Sequence, residues 1–213
     1  MEIWTANIDG SGLTQLTCNS VADSAPNWSP DGSQIVFQSL QNSGTDYEIY
    51  VMPVQTCGTG TMLTDNSATD TAPAFSPDGS HIAFSSNRIS NPEIWVMQSN
   101  GGSPTRLTTR TGSDLTPAWS PDGSRIAWTA GYSTGENHVW AMDADGQHQV
   151  DLTLVTATAV KDLAPAWSPD GTTIVFASTP AQSPNTDLYT MVADGTGVIR
   201  LTNATNNDTT PDW

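Results

Sequence analysis

Five aspartates stand at one repeated place in this 213-residue chain: Asp23, Asp70, Asp114, Asp162 and Asp208, each three residues before a proline. Carboxylates at one register of a repeat can do two kinds of work. Gathered at one point, they raise one another's pKa unless something compensates, and a divalent cation, calcium through oxygen ligands, is the natural compensation. Kept apart, each accepts hydrogen bonds from its own turn or from the neighbouring repeat. Both accounts stay open at this point, with all five as the candidate metal ligands. A second set of acids, Glu2, Glu48, Glu93 and Asp187, recurs further along each repeat, and His138 interrupts it. A site needing every copy would not tolerate that break, so a local bond, for example Arg88 with Glu93, is the expected role.

Hydrolytic chemistry has little to stand on. There is no G-x-S-x-G elbow. Ser29, Ser76, Ser120 and Ser168 all belong to the same Ser-Pro-Asp-Gly turn and read as structural, as do Asp31, Asp78, Asp122 and Asp170 within it. The histidines, His81, His138 and His148, share no metal-site or acid–base spacing. The expectation is a chain that is not an enzyme.

What positions these residues is a repeat. Trp28-Ser29-Pro30-Asp31-Gly32 returns at Phe75, Trp119 and Trp167, and Trp213 closes a last partial copy, at spacings of 44 to 48 residues (28, 75, 119, 167, 213). Units of that length bury their apolar face only by stacking on copies of themselves. Within one unit, Asp114 to Thr153, the chain alternates as strands do. Leu115–Ser120 is followed by the Pro121-Asp122-Gly123 turn, then Arg125–Thr129, His138–Met142, an Asp145-Gly146 hairpin signal and Gln149–Thr153. No helical period appears. Four short antiparallel strands per unit make a propeller blade. The spacing predicts a single all-β propeller of about five blades. Full blades span 23–69, 70–113, 114–161 and 162–207. A split blade takes its third and fourth strands from 1–22 and its inner strand from 208–213, and lacks a second strand. Two bare edges invite strand sharing with another chain or an unseen segment.

The pattern D-x-x-P-x-W-S-P-D-G-x-x-I-x-F, then E-I-Y-x-M and L-T, resembles the Trp-Asp-like repeats of TolB-type β-propellers. The same repeats also build the propellers of prolyl-oligopeptidase-like peptidases. The resemblance covers nearly the whole chain. It implies architecture strongly and activity weakly, because such propellers serve as partner-binding periplasmic proteins, surface proteins and enzyme appendages.

Composition narrows the partners. Twenty-two acidic against six basic residues give a net charge of −16, which repels phosphate backbones and makes nucleic acid a poor partner. No apolar run approaches the ~18 residues of a membrane span. Met1 leads directly into repeat residues, so no signal peptide is expected at this start. Sequons stand at Asn27, Asn203 and Asn207, and Asn27 falls in an inner strand. Cys18 and Cys57 are expected to be unpaired, since strand order puts them at opposite faces of neighbouring blades. Connections at 39–46, 130–137, 154–161 and 178–186 vary and share one face with the aspartates. A protein or small ligand is expected there, at the channel mouth. The leading function is a non-catalytic binding or scaffold propeller, calcium-stabilised if the aspartates gather, of a bacterial periplasm or exterior. The alternative is the propeller part of a larger enzyme.

Overall fold

The computed structural model describes residues 1–213 apart from 41–45, 59, 154–160, 181–182 and 204. Every described element is a β-strand. The first full blade comprises β3 (Asp23–Trp28), β4 (Gln34–Leu40), β5 (Tyr47–Pro53) and β6 (Thr61–Met62). The second comprises β7 (Asp70–Phe75), β8 (His81–Ser86), β9 (Glu93–Gln98) and β10 (Thr105–Arg106). The third runs through β11 (Asp114–Trp119), β12 (Arg125–Gly131), β13 (Asn137–Asp143) and β14 (Val150–Asp151). The fourth is β15 (Lys161–Trp167), β16 (Thr173–Thr179), β17 (Asp187–Val192) and β18 (Ile199–Arg200). Each is an antiparallel meander, and a single parallel bridge, Asn137 to Lys161, ties the last two together. Ahead of them, β1 (Trp4–Thr5) and β2 (Thr14–Gln15) form a two-stranded sheet.

The Ser-Pro-Asp-Gly turns are closed by their own side chains. In the third blade Ser120 Oγ donates to Asp122 Oδ1 at 2.6 Å and accepts from the Arg125 N–H at 2.9 Å. Gly123 takes φ 71°, the left-handed conformation that a side chain would strain. Four such turns fix the register of inner and second strands.

The cores lie between blades. Val36, Ile49 and Val51 of the first blade pack with Phe75, Phe84 and Met97 of the second. Ala83 and Ile94 meet Ile126 and Trp128, and Val139 and Leu152 meet Trp167 and Phe176. Ile3 and Leu16 close over Ile35 and Phe37. No blade buries its apolar face alone, which is the physical content of the repeat.

Two expectations need correction. Residues 208–213 were expected as an inner strand, yet they carry no strand pairing. They keep the inner-strand contour: the Asp208 N–H donates to the Thr186 C=O at 2.9 Å, as Asp114 does to Pro92 at 2.8 Å. Trp213 Nε1 donates to the Ala166 C=O at 3.2 Å, as Trp119 does to Ala74 and Trp167 to Ala118. A strand needs a neighbour for its ladder, and among the described residues no strand pairs with this segment.

The cysteines are bonded: Cys18 and Cys57 form a disulfide with Cα atoms 5.0 Å apart. The outer hairpin of each blade leans over the fourth strand of the blade before it. Cβ atoms on Gly101, Gly146 and Gly195 would lie 2.8, 3.2 and 2.6 Å from the carbonyls of Leu63, Leu107 and Leu152. The β5–β6 hairpin leans likewise and is longer. Nine residues separate the paired Val51 and Thr61, against eight between Val96 and Thr105. Cys57 and Gly58 thus donate to the carbonyls of Gln15 and Leu16 at 3.3 and 3.0 Å, which brings Cys57 beside Cys18.

Candidate binding site at the variable-loop face

The repeated acids form the underside of this face, one set per blade junction. The threonine ending each Leu-Thr pair holds them, a role that sequence reading missed although the pair recurs in every copy. Its hydroxyl accepts an N–H near the start of the third strand, that of the residue after the repeated acid or His138: Ile3 to Thr17 (3.0 Å), Ile49 to Thr64 (2.9 Å), Ile94 to Thr108 (2.9 Å), Val139 to Thr153 (3.1 Å) and Leu188 to Thr202 (2.9 Å). The hydroxyl proton then points at the acid, as from Thr17 to Glu2 (2.8 Å) and from Thr108 to Glu93 (2.6 Å). Arg106 completes Glu93 at 2.7 Å, and Arg200 completes Asp187 at 2.6 Å. Arg88 pairs with Asp70 at 2.8 Å, which corrects the expected bond to Glu93.

His138 breaks the acid set and meets an acid of the fourth strand instead. Its Nδ1 lies 2.7 Å from Asp151 Oδ2, and Asp151 occupies the register position held by Arg106 and Arg200 in the neighbouring blades. The acid moves to the fourth strand, and the imidazole takes its place on the third. Only the pairing register shows this, since both changes look like noise along the chain.

Asp23, Asp70, Asp114 and Asp162 are fully buried, and Asp208 is half-buried. They are not brought together as one ligand set: among the described residues no group of three or more His, Cys, Asp or Glu side chains could hold a metal. Asp23 accepts from Ser39 Oγ at 2.5 Å and Asn19 Nδ2 at 2.7 Å, and Asp70 from Asn66 Nδ2 at 2.8 Å besides Arg88. Burial pushes Asp114 up to about 6, with Glu93 adding to the rise and Thr108, Trp128 and Arg110 opposing it. Burial likewise raises Asp162 and Glu48. Burial thus makes Asp114 and Asp162 less ready to carry charge than an ordinary aspartate, and among the described residues the aspartates form no ligand group of three or more.

Above the junction of the second and third blades lies an open cleft of about 600 Å³, lined among others by Asn91, Gly112, Leu115, Gly131, Tyr132 and Glu136. Its lining comes from connections that differ between blades. Asn91 donates to the carbonyls of Arg110 (3.1 Å) and Gly112, pinning two loops together. A Cβ on Gly112 would sit 2.0 Å from the Gly131 carbonyl, so only glycine fits. Tyr132 donates to Asp151 at 3.0 Å and accepts from Trp140 Nε1 at 3.2 Å. The Arg110 guanidinium lies 3.7 Å from the Trp140 ring centroid and 5.1 Å from that of Tyr132. Tyr132, which lines the cleft, is thus held by contacts with Asp151, Trp140 and Arg110. Of the other variable connections, 41–45, 154–160 and 181–182 lie outside the described residues.

A second cleft, about 520 Å³ between Pro77, Asp78, His81, Trp119 and Asp122, opens on the opposite face. Its serines and aspartates are committed to turns. Ser80 donates to Asp78 at 2.7 Å and lies 2.7 Å from His81 Nδ1, an order that puts the hydroxyl, not the imidazole, in the middle. The imidazole then has no carboxylate behind it, unlike the base of a triad. The five inner strands together line a narrow channel of about 190 Å³ built on Pro26, Pro73, Pro117, Pro165 and Pro211.

This architecture has known relatives. The sequence matches the family described as the TolB beta propeller domain over residues 1–159 and 115–213. The chain belongs to the TolB β-propeller family. No curated protein matches the sequence. Among solved structures, a putative TolB from Agrobacterium tumefaciens is 25% identical with a TM-score of 0.79, over 92% of this chain and 72% of that one. TolB from Acinetobacter baumannii is 24% identical with a TM-score of 0.82, over 97% of this chain and 50% of that one. A puromycin-hydrolyzing peptidase of Mycobacterium tuberculosis shares the fold at 17% identity and a TM-score of 0.69, with 31% of its length covered. No helix among the described residues is long and apolar enough to cross a membrane.

Proposed function

We propose that this TolB-type propeller is a non-catalytic recognition domain that takes a protein or small ligand at its variable-loop face. The cleft at Tyr132 carries the reading: it is a concavity on this face built from residues that the repeat does not dictate, with Tyr132 held by Asp151, Trp140 and Arg110. Recurring serines, aspartates and threonines elsewhere are engaged in turns and junctions, and the Ser80–His81 contact among the described residues lacks the order of a triad. The Cys18–Cys57 disulfide supports a periplasmic or extracellular location, where such bonds persist. A photo-crosslinking residue at Tyr132 or Ser133 should trap a discrete partner in the source cell envelope, and one at Ser33 on the turn face should not. Trapping from Ser33 alone would move the site to the other face.

This reading does not call on calcium, because among the described residues the aspartates form no group of three or more that could hold it. Calorimetry with calcium and with a chelator should give the same melting temperature; a rise with calcium would restore the shared site. A second reading, the propeller part of a larger hydrolase, draws on the likeness to the puromycin-hydrolyzing peptidase. A G-x-S-x-G motif in the same reading frame would decide for it.

A further inference from the structure

On the turn face, the junction of the second and third blades and that of the third and fourth are built alike and filled differently. At both, the tryptophan ending the later inner strand donates through Nε1 to a carbonyl of the earlier one at 3.2 Å, Trp119 to Ala74 and Trp167 to Ala118. At both, the proline of one Ser-Pro-Asp-Gly turn faces the glycine of the next. A Cβ on Gly123 would lie 3.7 Å from Pro77, and one on Gly171 3.3 Å from Pro121. Ala144 and Ala193 stand at matching places after the third strands, their N–H groups donating to the carbonyls of Ser124 and Thr172 at 2.9 Å.

What differs is the first residue of the second strand. Arg125 opens β12 opposite Asp143, and His81 opens β8 opposite Gln98, at the same register. The Arg125 guanidinium crosses to the fourth blade, where it lies 5.5 Å from the Trp167 ring centroid and donates from Nη1 to the Ala193 C=O at 3.0 Å. Trp167 is buried, and the cleft beside it holds about 160 Å³. His81 is shorter and stays with its own turn, its Nδ1 2.7 Å from Ser80 Oγ. Trp119 is half-buried, and its cleft holds about 520 Å³. The ring and carbonyl that seat a guanidinium at one junction are thus repeated at the other, with an imidazole in place of the arginine.

We propose that the cleft between the second and third blades binds an arginine side chain of a partner protein, its guanidinium lying over Trp119 and donating to the Ala144 carbonyl. Charge complements that occupant. Asp78 and Asp122 line the cleft, one from each turn. Hydrogen bonds from Ser76 and Ser80 hold Asp78 at about 2, and those from Ser120 and Ser124 do the same for Asp122, so both stay ionised. The net charge of −16 draws cationic segments toward them. Arginine fits better than lysine, because its planar guanidinium stacks on an indole and gives up its water more readily than an ammonium. The site lies on the face opposite the Tyr132 cleft and does not rest on the function proposed there. Ser33 is outside its lining, so a crosslinker at Ser33 does not report on it.

The probe is a peptide capped at both ends, Gly-Ser-Arg-Ser-Gly, titrated into the isotope-labelled whole chain and read by nuclear magnetic resonance. The indole N–H signal of Trp119 is assigned by its loss in Trp119→Phe, a ring the second blade already carries at that place as Phe75. That signal should shift saturably, half-saturating on the order of 1 mM, the strength of one cation–π contact with one charge-assisted hydrogen bond. The Trp167 signal, whose ring Arg125 already covers, should stay in place. A lysine peptide should bind about threefold more weakly or worse, and a citrulline peptide, which keeps the shape without the charge, should not bind. His81→Arg should fill the cleft from within, as Arg125 does at the next junction. The peptide response at Trp119 should then vanish while the other indole signals show the fold intact. No saturable shift at Trp119, an equal response to the lysine or citrulline peptide, or an undiminished response in His81→Arg would each overturn the proposal.

Discussion

At the scale of single residues, burial and turn chemistry push aspartates of one chain in opposite directions. Asp31, Asp78, Asp122 and Asp170 accept their serine hydroxyls and are held down at about 2. They contribute stability that is present above the unfolded value of 3.8 and lost as pH falls through about 2. Asp114 behaves inversely. Raised to about 6 by burial, it binds a proton in the folded state that the unfolded chain has released. Stability therefore falls as pH rises from about 4 to about 6, by about 3 kcal/mol at 1.36 kcal/mol per pKa step. Asp114→Asn removes that slope. Its melting temperature relative to wild type should rise between pH 4.5 and pH 7.5, measured by calorimetry in both buffers. A constant difference across that range would mean that Asp114 is charged throughout.

At the scale of elements, the disulfide ties the two-stranded sheet to the first full blade across 39 residues of sequence. Loop closure of that length is worth about 2–4 kcal/mol through the unfolded state. Cys18→Ser with Cys57→Ser, or reduction of the wild type, should lower stability by that amount in urea titrations. The fold should survive, because Cys57 and Gly58 still reach the carbonyls of Gln15 and Leu16. The hairpin carrying Cys57 obeys a rule that strand order alone does not state: each hairpin tip covers the preceding blade's leucine. Paper strand diagrams put the cysteines on opposite faces, and a lean of one hairpin across its neighbour reverses that conclusion.

For the whole molecule, a net charge of −16 on a chain with six basic residues works against compactness. Three of the described ion pairs join an arginine to a buried acid, so part of the basic charge is already spent at blade junctions. Screening should therefore stabilise. Raising sodium chloride from about 0.02 to about 0.5 M contracts the Debye length several-fold and should raise the melting temperature by a few degrees. A fall with salt would show that the junction pairs outweigh the general repulsion. The same negative field favours ligands with basic flanks at the Tyr132 cleft.

The sequence by itself determined what depends on near neighbours. Turn residues Ser-Pro-Asp-Gly close their own hydrogen bonds within five residues, so four inner-to-second turns and the strand alternation around them were readable in the chain. Their spacing fixed the blade period, and the apolar alternation made stacking obligatory. Tertiary structure alone decided what depends on how one blade lies against the next. It set the pairing of Cys18 with Cys57 and the contact of His138 with Asp151. It also buried Asp23, Asp70, Asp114 and Asp162 with neighbours of their own instead of gathering them as one ligand set. Even the inner strands hold a conformation no residue type announces: Ala25, Ala72, Thr116 and Ala164 take φ of 49° to 50° before a proline, at a bulge in each ladder. The physical reason is common to all of these. Contacts between blades join residues some 45 positions apart, and their distances follow from packing, not from the order of residues along the chain.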